Sequence, residues 1–123
     1  MPSHKIFFIV LFVVLACTSK PLPQLENFDY QVWVADKQGC KGDRLAYKTS
    51  LQAQFDQLKG LKETDLILVL GKPDKNELLP RNQKHYSWFI EPGPACSNGP
   101  EKNPQKLIIR FTATGFAQEI GFE

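Results

Sequence analysis

Residues able to do chemistry are few in this sequence, and their spacing decides what they are for. There are two histidines, His4 and His85, and three cysteines, Cys17, Cys40 and Cys96. A metal site needs clustered Cys, His or carboxylate groups, and no such spacing appears. Ser87 and Ser97 stand outside any G-x-S-x-G turn that would aim a nucleophile. A glycine-rich phosphate loop is also missing. His85 has no obvious partner and reads as an outward-facing polar residue on a strand. Asp36, Asp43 and Arg44 flank Cys40 in sequence. A charged cluster is one reading of them, and fixing the start of a helix is the simpler one. The expectation is a protein that is not an enzyme and uses neither metal nor cofactor.

The cysteines are therefore the chemistry to follow. Cys17 ends an unbroken apolar run, Ile6 to Leu15, that begins just after His4 and Lys5. Ten helical residues cover only about 15 Å, half of a bilayer's hydrocarbon core, which suits a signal-peptide core and not a permanent span. Val14-Leu15-Ala16-Cys17 resembles the bacterial lipobox, in which the cysteine sulfur receives a diacylglycerol and the chain is cut before it. The resemblance implies a signal peptide over residues 1–16 and a lipid on Cys17. The alternative is an ordinary secretory signal that leaves Cys17 as a free thiol. Buried methylenes contribute about 0.8 kcal/mol each, so two or three acyl chains would hold a small domain firmly to a bilayer. Thr18, where an Asp would retain such proteins at the inner membrane in the usual Gram-negative pattern, implies passage to the outer membrane, facing the periplasm.

Setting Cys17 aside leaves Cys40 and Cys96 in a chain bound for an oxidising compartment. They allow one pairing, which would close a loop of about 57 residues and stabilise by roughly 4 kcal/mol. Two separate reduced thiols are the alternative. Lys5 leaves with the signal, so 14 basic residues face 13 acidic ones. That balance lacks the basic excess of a nucleic-acid footprint, and no nucleic-acid partner is expected.

These residues must be positioned by a small domain. Residues 17–26, with Pro21 and Pro23, read as a lipidated tether. Residues 27–123 are enough for one domain. Phe28, Tyr30, Val32 and Val34 alternate with polar residues apart from Trp33, predicting a short extended stretch before a turn at Lys37-Gln38-Gly39. Trp33 is expected to pack over the disulfide or the first helix. Tyr47, Leu51, Phe55 and Leu58 give one apolar stripe for a helix from about Arg44 to Lys59, capped by Asp43 and stopped by Gly60. A second helix, about Glu63 to Leu70, has acids in its first turn and ends at Gly71 and Pro73. The pair should fold back as a hairpin of helices.

After Pro73 the period becomes two. Glu77-Leu78-Leu79 reads as an edge strand, with a turn at Arg81-Asn82-Gln83. Tyr86, Trp88 and Ile90 point one way on the next strand, and Leu107, Ile109 and Phe111 on the third. Phe116, Gln118, Ile120 and Phe122 share a face on the last, reached through a hairpin loop at Thr112 to Gly115. The expected fold class is α+β, a helix pair packed on one face of a three- or four-stranded antiparallel meander. The proline-rich stretch 91–105 fits neither helix nor ladder, and a bridge from Cys96 to Cys40 would pin its middle.

The run Gly60-Leu61-Lys62-Glu63-Thr64-Asp65-Leu66-Ile67-Leu68-Val69-Leu70-Gly71-Lys72-Pro73, followed by an aromatic strand with Tyr86 and Trp88, resembles the signature of the SmpA/OmlA, or BamE-like, lipoproteins. The resemblance covers about half of the chain behind the signal and implies two helices followed by a β-meander, with support of outer-membrane protein assembly as the type role. Lys62 departs from it, standing where a Ser or Thr cap is usual. The stretch Trp33 to Arg44 lies outside it and resembles uncharacterised lipoproteins of the Bacteroidetes type. The expected function is a lipid-anchored, non-catalytic scaffold or protein-binding module of the cell envelope, touching the membrane through lipid and an envelope protein through a docking surface. Phe89 and Ile108, opposite their inward neighbours, and Pro92 and Pro94 of the loop are the candidate contacts. For Phe89 and Ile108 the alternative is a second minor core under the Trp33 segment. An inhibitor or ligand-binding module directed at a hydrolase is the alternative function.

Overall fold

The computed structural model describes residues 20–99 and 102–123. The expected signal peptide, residues 1–16, and the lipid site Cys17 lie outside the described residues. The fold is α+β. Helix α1 spans Tyr30–Ala35, α2 Lys48–Ala53, α3 Phe55–Leu58 and α4 Glu63–Leu70, and strands β1 Lys75–Leu79, β2 Gln83–Phe89, β3 Lys106–Phe111 and β4 Ala117–Phe122 follow. The strands form one antiparallel sheet in the order β1-β2-β3-β4.

One face of the sheet carries the core. Tyr86, Trp88 and Ile90 from β2 and its exit, with Leu107, Ile109 and Phe111 from β3, pack against Leu51, Leu58, Leu66 and Leu70 of the helices. This is the expected inward set. On β4 the expectation fails at one end. The ladder slips between Arg110 and Phe111, so Phe111 pairs with Ala117 while Arg110 pairs with Glu119. The extra residue, Gln118, leaves the inward row, Ala117 takes its place, and Phe116 turns outward.

The stretch predicted to be extended is helical instead. The Asp29 carboxylate accepts from the backbone N–H groups of Gln31 and Val32 at 3.0 and 3.3 Å and caps α1. Trp33, which broke the alternation, is the residue buried, and Tyr30 and Val32 face outward. The Arg44 to Lys59 helix is likewise broken into a 3₁₀ turn over Arg44–Tyr47, then α2 and α3, with Gln54 leaving helical geometry between them. The Gln54 amide instead clamps the incoming chain, accepting from the Glu26 N–H at 2.7 Å and donating to the Glu26 carbonyl at 2.8 Å. Glu26, the last residue of the expected tether, is therefore held on the domain. The cap expected from Asp43 comes from Asp36, which accepts from the N–H groups of Lys41 and Arg44 at 2.7 and 3.0 Å. Asp43 makes no capping bond.

Helix α4 has the predicted bounds, and Gly71 ends it at a positive φ of 77°. Its last carbonyls would be buried without partners, but two indoles supply them: Trp33 Nε1 donates to Leu70 O at 2.8 Å and Trp88 Nε1 to Gly71 O at 3.3 Å. Lys62 gives α4 no side-chain cap. The chain between α3 and α4 is not a free turn, since Gly60 N–H donates to Ala117 O and Ala117 N–H to Leu61 O, each at 2.8 Å. Across the layers, Lys84 of β2 donates to Glu63 of α4 at 3.1 Å. The Glu63 carboxylate holds the Lys84 ammonium above the ordinary lysine range. The contribution of the raised Lys84 ammonium is present at neutral pH and is lost as pH rises through its raised value.

The most buried ion pair among the described residues is that of Arg44 with Asp74, 2.6 Å apart. Arg44 also donates to the carbonyls of Trp33 at 2.9 Å and Phe89 at 3.2 Å. Asp74 accepts the Phe89 N–H at 2.8 Å. Asp74→Ala would leave a buried guanidinium without its carboxylate, at an expected cost of about 3–5 kcal/mol. Equilibrium denaturation of the oxidised protein measures this, and a loss below about 1 kcal/mol, the range of an exposed pair, would contradict the assignment.

Candidate partner-binding cleft

The face of the sheet opposite the helices is polar and charged at its edges. Its rows are Lys75, Ser87, Ile108 and Gly121, then Glu77, His85, Arg110 and Glu119, as the register requires. His85 is on this outward face, as predicted, but it is buried among its neighbours, with Nε2 3.0 Å from Glu77 Oε2. The Ser87 hydroxyl is buried without a hydrogen-bond partner. Neither arrangement offers an activated nucleophile, because no base reaches Ser87. Among the described residues no group of three His, Cys, Asp or Glu side chains stands close enough to hold a metal.

Beyond β2 the chain enters the proline-rich loop. Its neck is closed where Ile90 and Glu91 both donate to Gln105 O, and Gln105 N–H donates back to Glu91 Oε1 at 2.8 Å. Its middle is fixed by the Cys40–Cys96 disulfide, with Cα atoms 5.4 Å apart. Further ties run from Gly93 N–H to Gln38 O at 2.8 Å and from Asn98 to Cys40 O at 3.2 Å. Gly39 explains how the two segments come so near. A Cβ there would lie 2.9 Å from Phe89 O and 2.8 Å from Glu91 O, and its φ is +66°. Only glycine meets both demands without strain.

The loop so held overhangs the end of the sheet and leaves a cleft of about 460 Å³ lined by Lys75, Phe89, Pro94, Asn103, Pro104, Lys106 and Glu123. Phe89 is its floor, only 3% exposed, and the Lys75 ammonium lies 5.6 Å from the ring centroid. Ile108, 5% exposed, lines an adjoining hollow of about 240 Å³ with Arg110, Glu119 and Gly121, and Glu123 is common to both. Arg110 Nη2 reaches Glu123 at 3.3 Å.

Of the four candidate contact residues, the structure brings Phe89 and Pro94 into one cleft. Ile108 belongs to the neighbouring hollow, and Pro92 is half-buried and lines neither. Phe89 and Ile108 are not protruding anchors: strand neighbours flank both, and the ring of Phe89 lies under Gly93, whose Cβ position would be 2.9 Å from it. Pro94 is exposed. The two lysines of the cleft escaped sequence reading, although strand parity places Lys106 on Ile108's face and Lys75 on Glu77's. Asp74 gave no such signal.

Compared with family models, curated proteins and solved structures, the chain matches none.

Reducing the bridge, or replacing Cys40 and Cys96 together by Ser, is expected to cost about 4 kcal/mol, the chain-entropy value for a loop of about 57 residues. Denaturation curves with and without reductant give the difference. Alkylation of unreduced protein that found two free thiols would contradict the bridge outright.

Proposed function

We propose that the chain is a lipid-anchored cell-envelope protein that works as a non-catalytic scaffold, holding an envelope protein in the cleft beneath its disulfide-pinned loop. The observation that carries this reading is the cleft itself. A proline-rich loop is held at its neck and its middle, over an aromatic floor flanked by Lys75 and Lys106. Pre-fixing a loop removes ordering cost from binding, which is how a small surface gains affinity. The lysines suit a partner segment bearing carboxylates, and Phe89 with Pro94 and Pro104 suits an apolar side chain between them.

The likeness of Gly60 to Pro73 to the SmpA/OmlA signature supports a role in outer-membrane assembly or maintenance. So does the order of elements, short helices and then a four-stranded antiparallel meander. Fold alone does not carry function, so the cleft is the part to test. The lipobox-like Val14 to Cys17 supports the anchor, and Thr18 supports the outer membrane as its place.

Two measurements follow. With a photo-crosslinking residue at Pro94, intact cells are expected to give a discrete adduct to an envelope protein. The adduct should weaken strongly when Lys75→Glu and Lys106→Glu reverse the charge of the cleft. No adduct, or one indifferent to that reversal, would remove the cleft from the proposal, and an adduct to a soluble hydrolase would assign it to inhibition instead. Separately, Cys17→Ala is expected to release the domain from membranes or leave the signal uncut. A processed mutant that still partitions into detergent like the parent would overturn the anchor.

A further inference from the structure

A second face of the domain is apolar and uncovered. A groove of about 420 Å³ runs between residues 22–30 and α4, lined among others by Leu22, Pro23, Leu25, Phe28, Tyr30 and Leu68. Leu22 is 48% exposed, Tyr30 40% and Leu68 63%. Isolated exposed apolar side chains are ordinary, but three around one groove form a patch that marks an interaction surface. Helix α4 makes the same point. Residues 66–70 are Leu-Ile-Leu-Val-Leu, of which Leu66, Val69 and Leu70 enter the core while Ile67 and Leu68 face out. A helix apolar on both sides is usually covered on both.

The position of the incoming chain says what covers it. Lys20 Nζ donates to Asp56 O at 3.1 Å and to Lys59 O at 2.6 Å, and Glu26 is clamped by Gln54, so residues 20–26 are fixed on the domain. Cys17 lies five residues before Leu22. At most about 18 Å of chain therefore separates it from the groove. A lipid on Cys17 brings a bilayer surface within that distance. At the far end of α4, Val34 borders a hollow with Lys37 and Lys72, and among the described residues neither lysine is in an ion pair. Apolar side chains beside unpaired cations, with a tyrosine at the rim, are the composition of a surface that lies in a lipid interface.

We infer that this groove is the face the domain lays on the membrane, with Leu22, Tyr30 and Leu68 entering the boundary between headgroups and acyl chains and Lys37 and Lys72 directed at lipid phosphates. The inference rests on the anchor reading, and the experiment separates the two. The full processed protein is purified from membranes, its N-terminal mass is measured, and it is reconstituted into phospholipid vesicles containing a fraction of anionic lipid. With Cys17 acylated and Cys40 bridged to Cys96, Leu68→Cys offers a single thiol for a spin label. Leu22→Cys is a second site in the groove, and Leu78→Cys, at a residue 71% exposed on edge strand β1, is the control. Labels at 68 and 22 are expected to lose most of their collisions with a water-soluble relaxant and gain collisions with oxygen, while the label at 78 stays in water. A lipidated, vesicle-bound protein whose label at 68 is as wet as that at 78 overturns the inference and spares the anchor. A chain without lipid mass on Cys17 overturns both. Dipolar broadening between labels at 68 would assign the groove to a second copy and overturn the membrane face.

Discussion

The ion pair of Arg44 with Asp74 is the constraint on which the other arrangements depend. Two buried charges are costly to hold away from water unless each is neutralised and hydrogen-bonded. Arg44 meets that demand with the Asp74 carboxylate and the carbonyls of Trp33 and Phe89, and it lies 5.0 Å from the Trp33 ring centroid. Asp74 accepts also from Phe89 N–H and, at 3.3 Å, from Gln38 N–H. Five stretches of chain therefore meet at one point: α1, the turn before Cys40, the turn that begins at Arg44, the exit from α4 and the exit from β2. Asp36 sets the approach of Arg44 by accepting its N–H. Displacing any of these stretches would strand a charge, so the geometry is set more sharply than apolar packing alone would set it.

The disulfide acts on the same region by a different route. Its effect falls mainly on the unfolded chain, which it keeps from separating Cys40 and Cys96. The ion pair instead selects among compact arrangements of the folded chain. Together they explain how a loop crowded with prolines can be fixed without regular structure. The ion pair holds the β2 exit at Phe89, the disulfide holds the middle at Cys96, and Gly39 lets the backbones approach between them. The cleft is the space these three fixed points leave over the end of the sheet.

This division also explains what could be read from the sequence. Strands β2 and β3 were legible because Tyr86, Trp88, Ile90, Leu107, Ile109 and Phe111 alternate over enough residues to display a period of two. Helix α4 was legible through its acidic first turn and Gly71 with Pro73. Helix α1 was not, because six residues are too few to separate a period of 3.6 from one of two, and Tyr30, Val32 and Val34 imitate a strand. Asp29 was the overlooked cap. The slip beside Phe111 was invisible because the ladder, not the sequence of β4 alone, determines where the extra residue goes. In the cleft, parity and prolines pointed to Phe89 and Pro94, but burial of the ring depends on Gly93 arriving over it. Asp74 carried no signal in the sequence, since its partner is 30 positions away.

The two proposed surfaces also constrain each other. The groove belongs to the helix layer, and the cleft lies on the opposite face of the sheet. Residues 20–26 are bound to the domain, so a lipid on Cys17 would sit only three residues before the first of them, Lys20. An anchor that close would leave the domain little freedom to turn over. A domain seated by its helix layer would then hold the cleft away from the bilayer, open to partners that approach from the aqueous side. The Arg44–Asp74 pair lies where the two layers join, with Trp33 and α4 on the groove side and Phe89 on the cleft side. The interaction that fixes the fold would thereby also fix the angle between the proposed membrane face and the cleft.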